Sequence, residues 1–116
     1  MPTVHIFASC GRFASREALK AFVIPTYSED GDRIDSAFMR EVGFTKYEPM
    51  CIEAIHSEVS KPLSALLART SYCQQWLPKV GDSSDADSAV CVFSPNVIVR
   101  PQDSSMRYCG AFAYDS

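Results

Sequence analysis

The sequence predicts an α+β domain: a mostly antiparallel sheet of four or five strands carrying about three helices, in the order β-α-(α)-β-α-β-β. Three observations lead there. Short runs rich in β-branched and aromatic residues alternate with segments whose apolar residues recur at i, i+3 and i+4. The last two strand-like segments are close enough in sequence to pair as a hairpin, while the first two are joined through helices. With 116 residues, 47% hydrophobic and 22% charged, the chain suits a single domain over 1–116. The helices are expected on one face of the sheet.

Residues 3–9 (TVHIFAS) form the opening strand, and Gly11 turns the chain. Ser15 is a good N-cap, Glu17 complements the helix dipole, and Leu19, Phe22 and Val23 give one apolar face to a helix over 15–24. Pro25 stops it by disfavouring helical geometry at Ile24. Residues 26–35 (TYSEDGDRID) read as an exposed loop. Asp35 or Ser36 caps a short second helix that turns Phe38, Met39 and Val42 inward and stops at Gly43.

Tyr47-Glu48-Pro49 is a turn into a strand over 50–56. There Cys51, Glu53 and Ile55 share one face, and Met50, Ile52, Ala54 and His56 the other. Ser60 can cap a third helix bearing Leu63, Leu66 and Leu67, interrupted at Thr70-Ser71 and followed by a short segment to Leu77. Residues 81–88 look loop-like. Residues 89–93 and 97–99 read as strand, broken at Pro95-Asn96. The segment 101–105 would be a hairpin loop before a final strand over 107–114, with Tyr108, Gly110, Phe112 and Tyr114 on one face.

Several kinds of chemistry find little support. The net charge of −3 makes a poor non-specific binder of phosphate backbone, so direct nucleic-acid binding is not expected. No apolar run reaches the roughly 18 residues of a membrane span. The N-terminus lacks a basic region, and Val4 to Ala8 is too short for a signal peptide, so cytoplasmic residence is the expectation. The five cysteines (Cys10, Cys51, Cys73, Cys91, Cys109) form no C-x-x-C pair and read as reduced thiols. Neither G-x-G-x-x-G, a P-loop nor G-x-S-x-G occurs. His5 and His56 could meet if their strands were neighbours, but two histidines without a third spaced ligand make a weak metal site. Glu29-Asp30-Gly31-Asp32 lacks EF-hand spacing. No cofactor, metal or catalytic residue is expected. A thiol-dependent enzyme using Cys51 or Cys10 with a histidine is the alternative from another class; in each pair the two side chains are expected on opposite strand faces or not facing. A binding module whose pocket uses Phe7, Trp76, Phe93, Phe112 and Tyr114 is another, although these spacings suit a core.

The charge map is uneven. Residues 28–58 hold eight acids, Glu29, Asp30, Asp32, Asp35, Glu41, Glu48, Glu53 and Glu58, against the bases Arg33, Arg40 and Lys46. Tyr27, Phe44 and Tyr47 lie among them. Carboxylates interleaved with tyrosines can form a surface complementary to a basic protein: the charges speed encounter and the aromatic anchors hold. The candidate partner-binding residues are therefore Tyr27, Glu29, Asp30, Asp32, Asp35, Glu41, Tyr47 and Glu48. The bland alternative is a solvated acidic face. Glu53 lies mid-strand. If buried it must be paired, with an Arg or a Tyr; if exposed it joins the surface.

The order of motifs through this region resembles the immunity protein 22 family. The opening strand leads into Gly11-Arg12-Phe13-Ala14-Ser15-Arg16-Glu17-Ala18-Leu19, similar to that family's entry to its first helix. Tyr27 with Glu29-Asp30-Gly31-Asp32 follows, then Ile34, Ser36 and Phe38, then Tyr47-Glu48-Pro49 before Ile52-Glu53-Ala54, and Ser71-Tyr72. Together these span residues 4–76. The resemblance implies a non-enzymatic cytoplasmic protein that binds the cognate toxin C-terminal domain of a bacterial polymorphic or contact-dependent inhibition system. Such toxins include many nucleases, whose clefts must be basic. The resemblance carries over no individual contact residue; those come from the charge map.

Overall fold

In the computed structural model, which describes residues 1–82 and 84–116, the elements run β1 (Thr3–Ser9), α1 (Arg16–Val23), β2 (Thr26–Tyr27), β3 (Arg33–Ile34), α2 (Ala37–Val42), β4 (Phe44–Lys46), β5 (Ile52–Pro62), α3 (Leu63–Leu66), α4 (Cys73–Trp76), β6 (Asp85–Phe93), β7 (Val97–Ile98) and β8 (Arg107–Ala113). Four of the strands form an antiparallel sheet in the order β5-β6-β1-β8. The fold is α+β, as the alternation of periods predicts.

The helices cover both faces of this sheet, not one. Val4, Ile6 and Ala8 of β1 and Ala89, Cys91 and Phe93 of β6 pack with Leu63, Leu67 and Trp76 on one side. Phe7, Val90 and Val92 pack with Leu19, Val23, Phe38 and Val42 on the other. The two central strands are apolar at consecutive positions, a pattern that buries both faces and therefore requires cover on each.

The predicted caps of the first two helices hold. Ser15 accepts the Ala18 N–H at 3.1 Å and opens α1. Of the two candidates for α2, Ser36 is the cap: it accepts the Met39 N–H at 3.2 Å and donates its hydroxyl to the Val23 carbonyl at 2.8 Å, which ties α2 to the end of α1. Gly43 closes α2 at φ +69°, and a Cβ there would stand 2.6 Å from the Arg100 side chain.

Other expectations are corrected. Residues 26–35 are a two-rung hairpin, β2 against β3, and not a simple loop. Phe44–Lys46 is a strand, paired with β7. Ser60 caps no helix. It lies in β5, whose residues Ser57–Ser60 bulge opposite Asp87 before Lys61 and Pro62 rejoin Ala86 and Asp85. The third helix starts only at Leu63, without a side-chain cap, and Leu63, Leu66 and Leu67 are buried as expected. Strand β6 begins at Asp85, inside the stretch read as loop, because its polar Ser88 is a buried residue bonded to His56 Nδ1 at 2.9 Å.

The C-terminal hairpin does not exist. Val99 donates to the carbonyls of Val42 and Gly43, which draws β7 to the end of α2, and β8 pairs with β1 instead. Within β8 the register shifts: Ile6 faces Gly110 and Phe7 faces Tyr108, so Cys109 is an extra residue and Gly110 adopts φ +116°. That bulge turns Tyr108 to the α1–α2 side and leaves Phe112 and Tyr114 on the other, splitting the single face expected for this strand.

Candidate functional site

Most of the sequence-predicted acidic surface is built on the β2–β3 hairpin. Its loop is braced by backbone. The Ser28 N–H donates to the Asp32 carbonyl at 2.9 Å, Gly31 N–H to the Ser28 carbonyl at 2.9 Å, and Asp32 N–H to Ser28 Oγ at 3.1 Å. Gly31 sits at φ +85°, a conformation few side chains accept. This turn holds Glu29, Asp30 and Asp32 exposed at its tip. Among the described residues the ion pairs are Arg33–Asp35, Arg100–Asp103 and Arg107–Asp82, so these three carboxylates have no cationic partner within the chain.

Behind the tip the hairpin leans on Tyr47. Arg33 donates from Nε to Asp35 at 2.9 Å, and its guanidinium lies 5.1 Å from the centre of the Tyr47 ring. The Tyr47 ring packs edge-on against Phe44, centroids 5.6 Å apart, and so connects the hairpin to β4. Burial pushes the Tyr47 phenol above its ordinary pKa, and Tyr27, Glu48 and Asp35 push the same way against Arg33. Tyr27, Asp35 and Glu48 therefore all lie near Tyr47. Beside the carboxylates the hairpin exposes Tyr27 (62%) and Ile34 (50%).

Two of the eight candidates have structural work. Glu48 accepts the Met50 N–H at 3.1 Å and caps the turn Pro49–Cys51. Its backbone is clamped by Asn96: Glu48 N–H donates to Asn96 Oδ1 at 2.7 Å, and Asn96 Nδ2 donates to the Glu48 and Phe93 carbonyls at 3.0 and 2.9 Å. Glu41 is held by the opposite loop, accepting the Ser105 N–H at 2.8 Å and its hydroxyl. Glu53 is half-buried and pairs with neither Arg nor Tyr. It accepts the Ser71 N–H at 3.2 Å.

Sequence reasoning missed Arg33, Ile34 and Asn96. The Arg33-x-Asp35 spacing on a strand places both side chains on one face, which is the signal for the first. The bond to Phe93 is local, but the partners that give Asn96 its clamp lie 45 or more residues away in the turn at 48–51, and nothing local marks them.

The thiol and metal candidates are not assembled. His5 Nδ1 bonds the Tyr108 hydroxyl and His56 Nδ1 bonds Ser88 Oγ, both at 2.9 Å, and neither bonds a thiol. Strand β6 separates β1 from β5, so the two histidines are not on neighbouring strands. Burial pushes the Cys91 thiol up, and the Cys109 thiol to about 11. Phe7, Trp76, Phe93 and Tyr114 are core residues, and Phe112 packs against them in part.

No helix is long and apolar enough to cross a membrane among the described residues. The profile of the immunity protein 22 family matches residues 4–115. No curated protein and no solved structure matches the chain. With nearly its whole length accounted for by that one profile, the chain belongs to the immunity protein 22 family.

Proposed function

We propose that the chain neutralises a cognate bacterial toxin domain in the cytoplasm, without catalysis, by laying the β2–β3 hairpin over the toxin's basic substrate cleft. The carrying observation is the trio Glu29, Asp30 and Asp32: three carboxylates without cationic partners among the described residues, held on a backbone-braced turn. A toxin that cleaves nucleic acid must present a basic cleft to phosphates, and a fixed row of carboxylates offers it the same charge. Tyr27 and Ile34 supply the apolar anchors, and Asp35 and Tyr47 support them. Glu48 contributes charge at the rim, while Glu41 serves the fold at Ser105.

The test is co-expression with the toxin domain encoded beside it, then binding kinetics on the purified pair. The double variant Asp30→Lys, Asp32→Lys should slow association by about tenfold at low salt and flatten the salt dependence, with a smaller change in dissociation. Growth rescue with an unchanged association rate and salt slope would overturn the hairpin reading. Failure to bind or rescue at all would overturn toxin neutralisation itself.

A further inference from the structure

Strand β5 is an edge of the sheet, and its first half is an unblunted edge. The phase of the ladder follows from one bond: Ser94 N–H donates to the Thr3 carbonyl at 3.0 Å, extending the β1–β6 pairing. Hydrogen-bonded pairs alternate along an antiparallel ladder, so Thr3, His5 and Phe7 bond β6, and Phe93, Cys91 and Ala89 of β6 bond β5. Their partners are Glu53 opposite Cys91 and Ile55 opposite Ala89. The backbone groups of Ala54 and His56 and the Ile52 carbonyl therefore point away from the sheet, where no further strand pairs among the described residues, while the Ile52 N–H is bonded to the Pro49 carbonyl. Edges are commonly guarded by bulges, prolines or lysines. Here the bulge at Ser57–Ser60, Lys61 and Pro62 guard only the second half.

A groove flanks this open edge on each face. The first, about 460 Å³, lies between α1 and β5 and is lined by Arg16, Lys20 and Ile24 together with Ile52, Glu53 and Ala54. The second, also about 460 Å³, lies between β5 and α3 and is lined by His56, Lys61 and Arg69. Each groove touches consecutive β5 residues of both facings, so each reaches the backbone edge and not one face alone. Arg16, Lys20, Lys61 and Arg69 have no acidic partner among the described residues. The carboxylate the grooves share, Glu53, is already bonded to Ser71 N–H.

We propose that Ile52–His56 is a strand-addition site for an extended acidic segment of another protein. The segment's backbone would pair with the Ile52 carbonyl and the outward groups of Ala54 and His56. Its alternate side chains would enter the two grooves, and carboxylates there would meet Arg16 and Lys20 on one side and Lys61 and Arg69 on the other. Charge decides against a second copy as occupant, because antiparallel pairing of two β5 edges would bring the four cations of each copy together. The first groove borders the hairpin surface at Tyr47, but the strand-addition site is built on β5 and does not depend on the partner being a toxin.

The probe is a blocked nine-residue peptide alternating Glu with Val, with its Lys-for-Glu counterpart as control. Residue-resolved hydrogen exchange should show fast amides at Ala54 and His56 in the free protein, which become protected with the Glu peptide while Ile52, Glu53 and Ile55 change little. The Lys peptide should bind at least about tenfold more weakly, as should the Glu peptide to Ala54→Pro, which removes an outward donor. If that variant misfolds, N-methylating the peptide's alternate amides on the wild-type protein makes the same test. Absence of saturable binding, protection without alternation, or equal binding of the two peptides would overturn the proposal. Protection of the two amides that grows with protein concentration alone would overturn it in favour of self-pairing.

Discussion

Arg33 serves two partners at once: its guanidinium lies over the Tyr47 ring, 5.1 Å from the centroid, while its Nε holds Asp35 at 2.9 Å. A planar, forked cation can stack and donate together, and an ammonium cannot do both in this geometry. The hairpin thus gains a fixed positive brace inside an acidic surface.

That brace leaves a signature on Tyr47. Arg33 is the one neighbour lowering the phenol's pKa against burial and three acidic groups. Arg33→Gln should therefore raise the Tyr47 pKa further. The measurement is an absorbance titration, with Tyr47→Phe subtracted to isolate the residue. Because the Arg33–Asp35 pair is exposed, the same variant should cost less than about 1 kcal/mol of stability.

Apolar anchors and charges should separate kinetically. Tyr27→Ala and Ile34→Ala are each expected to speed dissociation from the cognate toxin by about tenfold, with association nearly unchanged. Both side chains are exposed in the free protein, so thermal unfolding of the variants should match the parent. Surface plasmon resonance on the pair, beside a melting curve of each variant, checks both statements.

Asn96 is 6% exposed and holds the turn at 48–51 against the end of β6. Asn96→Ala removes those bonds and leaves the Glu48 N–H and several carbonyls without their partner. It should cost about 1–3 kcal/mol, read from urea unfolding. Tyr47 neighbours this turn, so the variant should also alter its fluorescence.

His5 gives the fold a pH dependence. Burial lowers its pKa below 6.5, so the folded state favours the neutral ring. The unfolded chain then takes up a proton first as pH falls. The contribution is fully present above pH 6.5 and is lost as pH drops through the folded pKa. His5→Gln, which keeps a polar group near the Tyr108 hydroxyl, should lose less stability between pH 7.5 and 5 than the parent does. Urea midpoints at the two pH values provide the test.

What the sequence revealed was set by local physics. Ser15, Ser36 and Gly43 mark helix ends because their partners lie within four residues. The alternation of Ile52, Ala54 and Ile55 survives because strand period is local. The misplaced features are long-range. Ser88 looks like loop until His56 stands beside it, and Ser60 looks like a cap until Lys61 and Pro62 rejoin β6. Proximity in sequence favours a final hairpin, but β1 needs a second neighbour and takes β8. Of the candidate surface, the acidic loop was legible as charge. Its bracing by Arg33 and Tyr47 was not, since that depends on a contact fourteen residues apart.

Strand β1 occupies an inner place between β6 and β8, and both of those arrive late in the chain. Its last partner is not complete until Ala113 has been made. At ribosomal rates of about 5–20 residues per second, the first strand waits roughly 5–20 seconds with its apolar run unpaired. Such distant pairing also slows folding after synthesis. A nascent chain of this family member thus cannot complete its central sheet before Ala113 has left the ribosome, and until then one edge of β1 stays open.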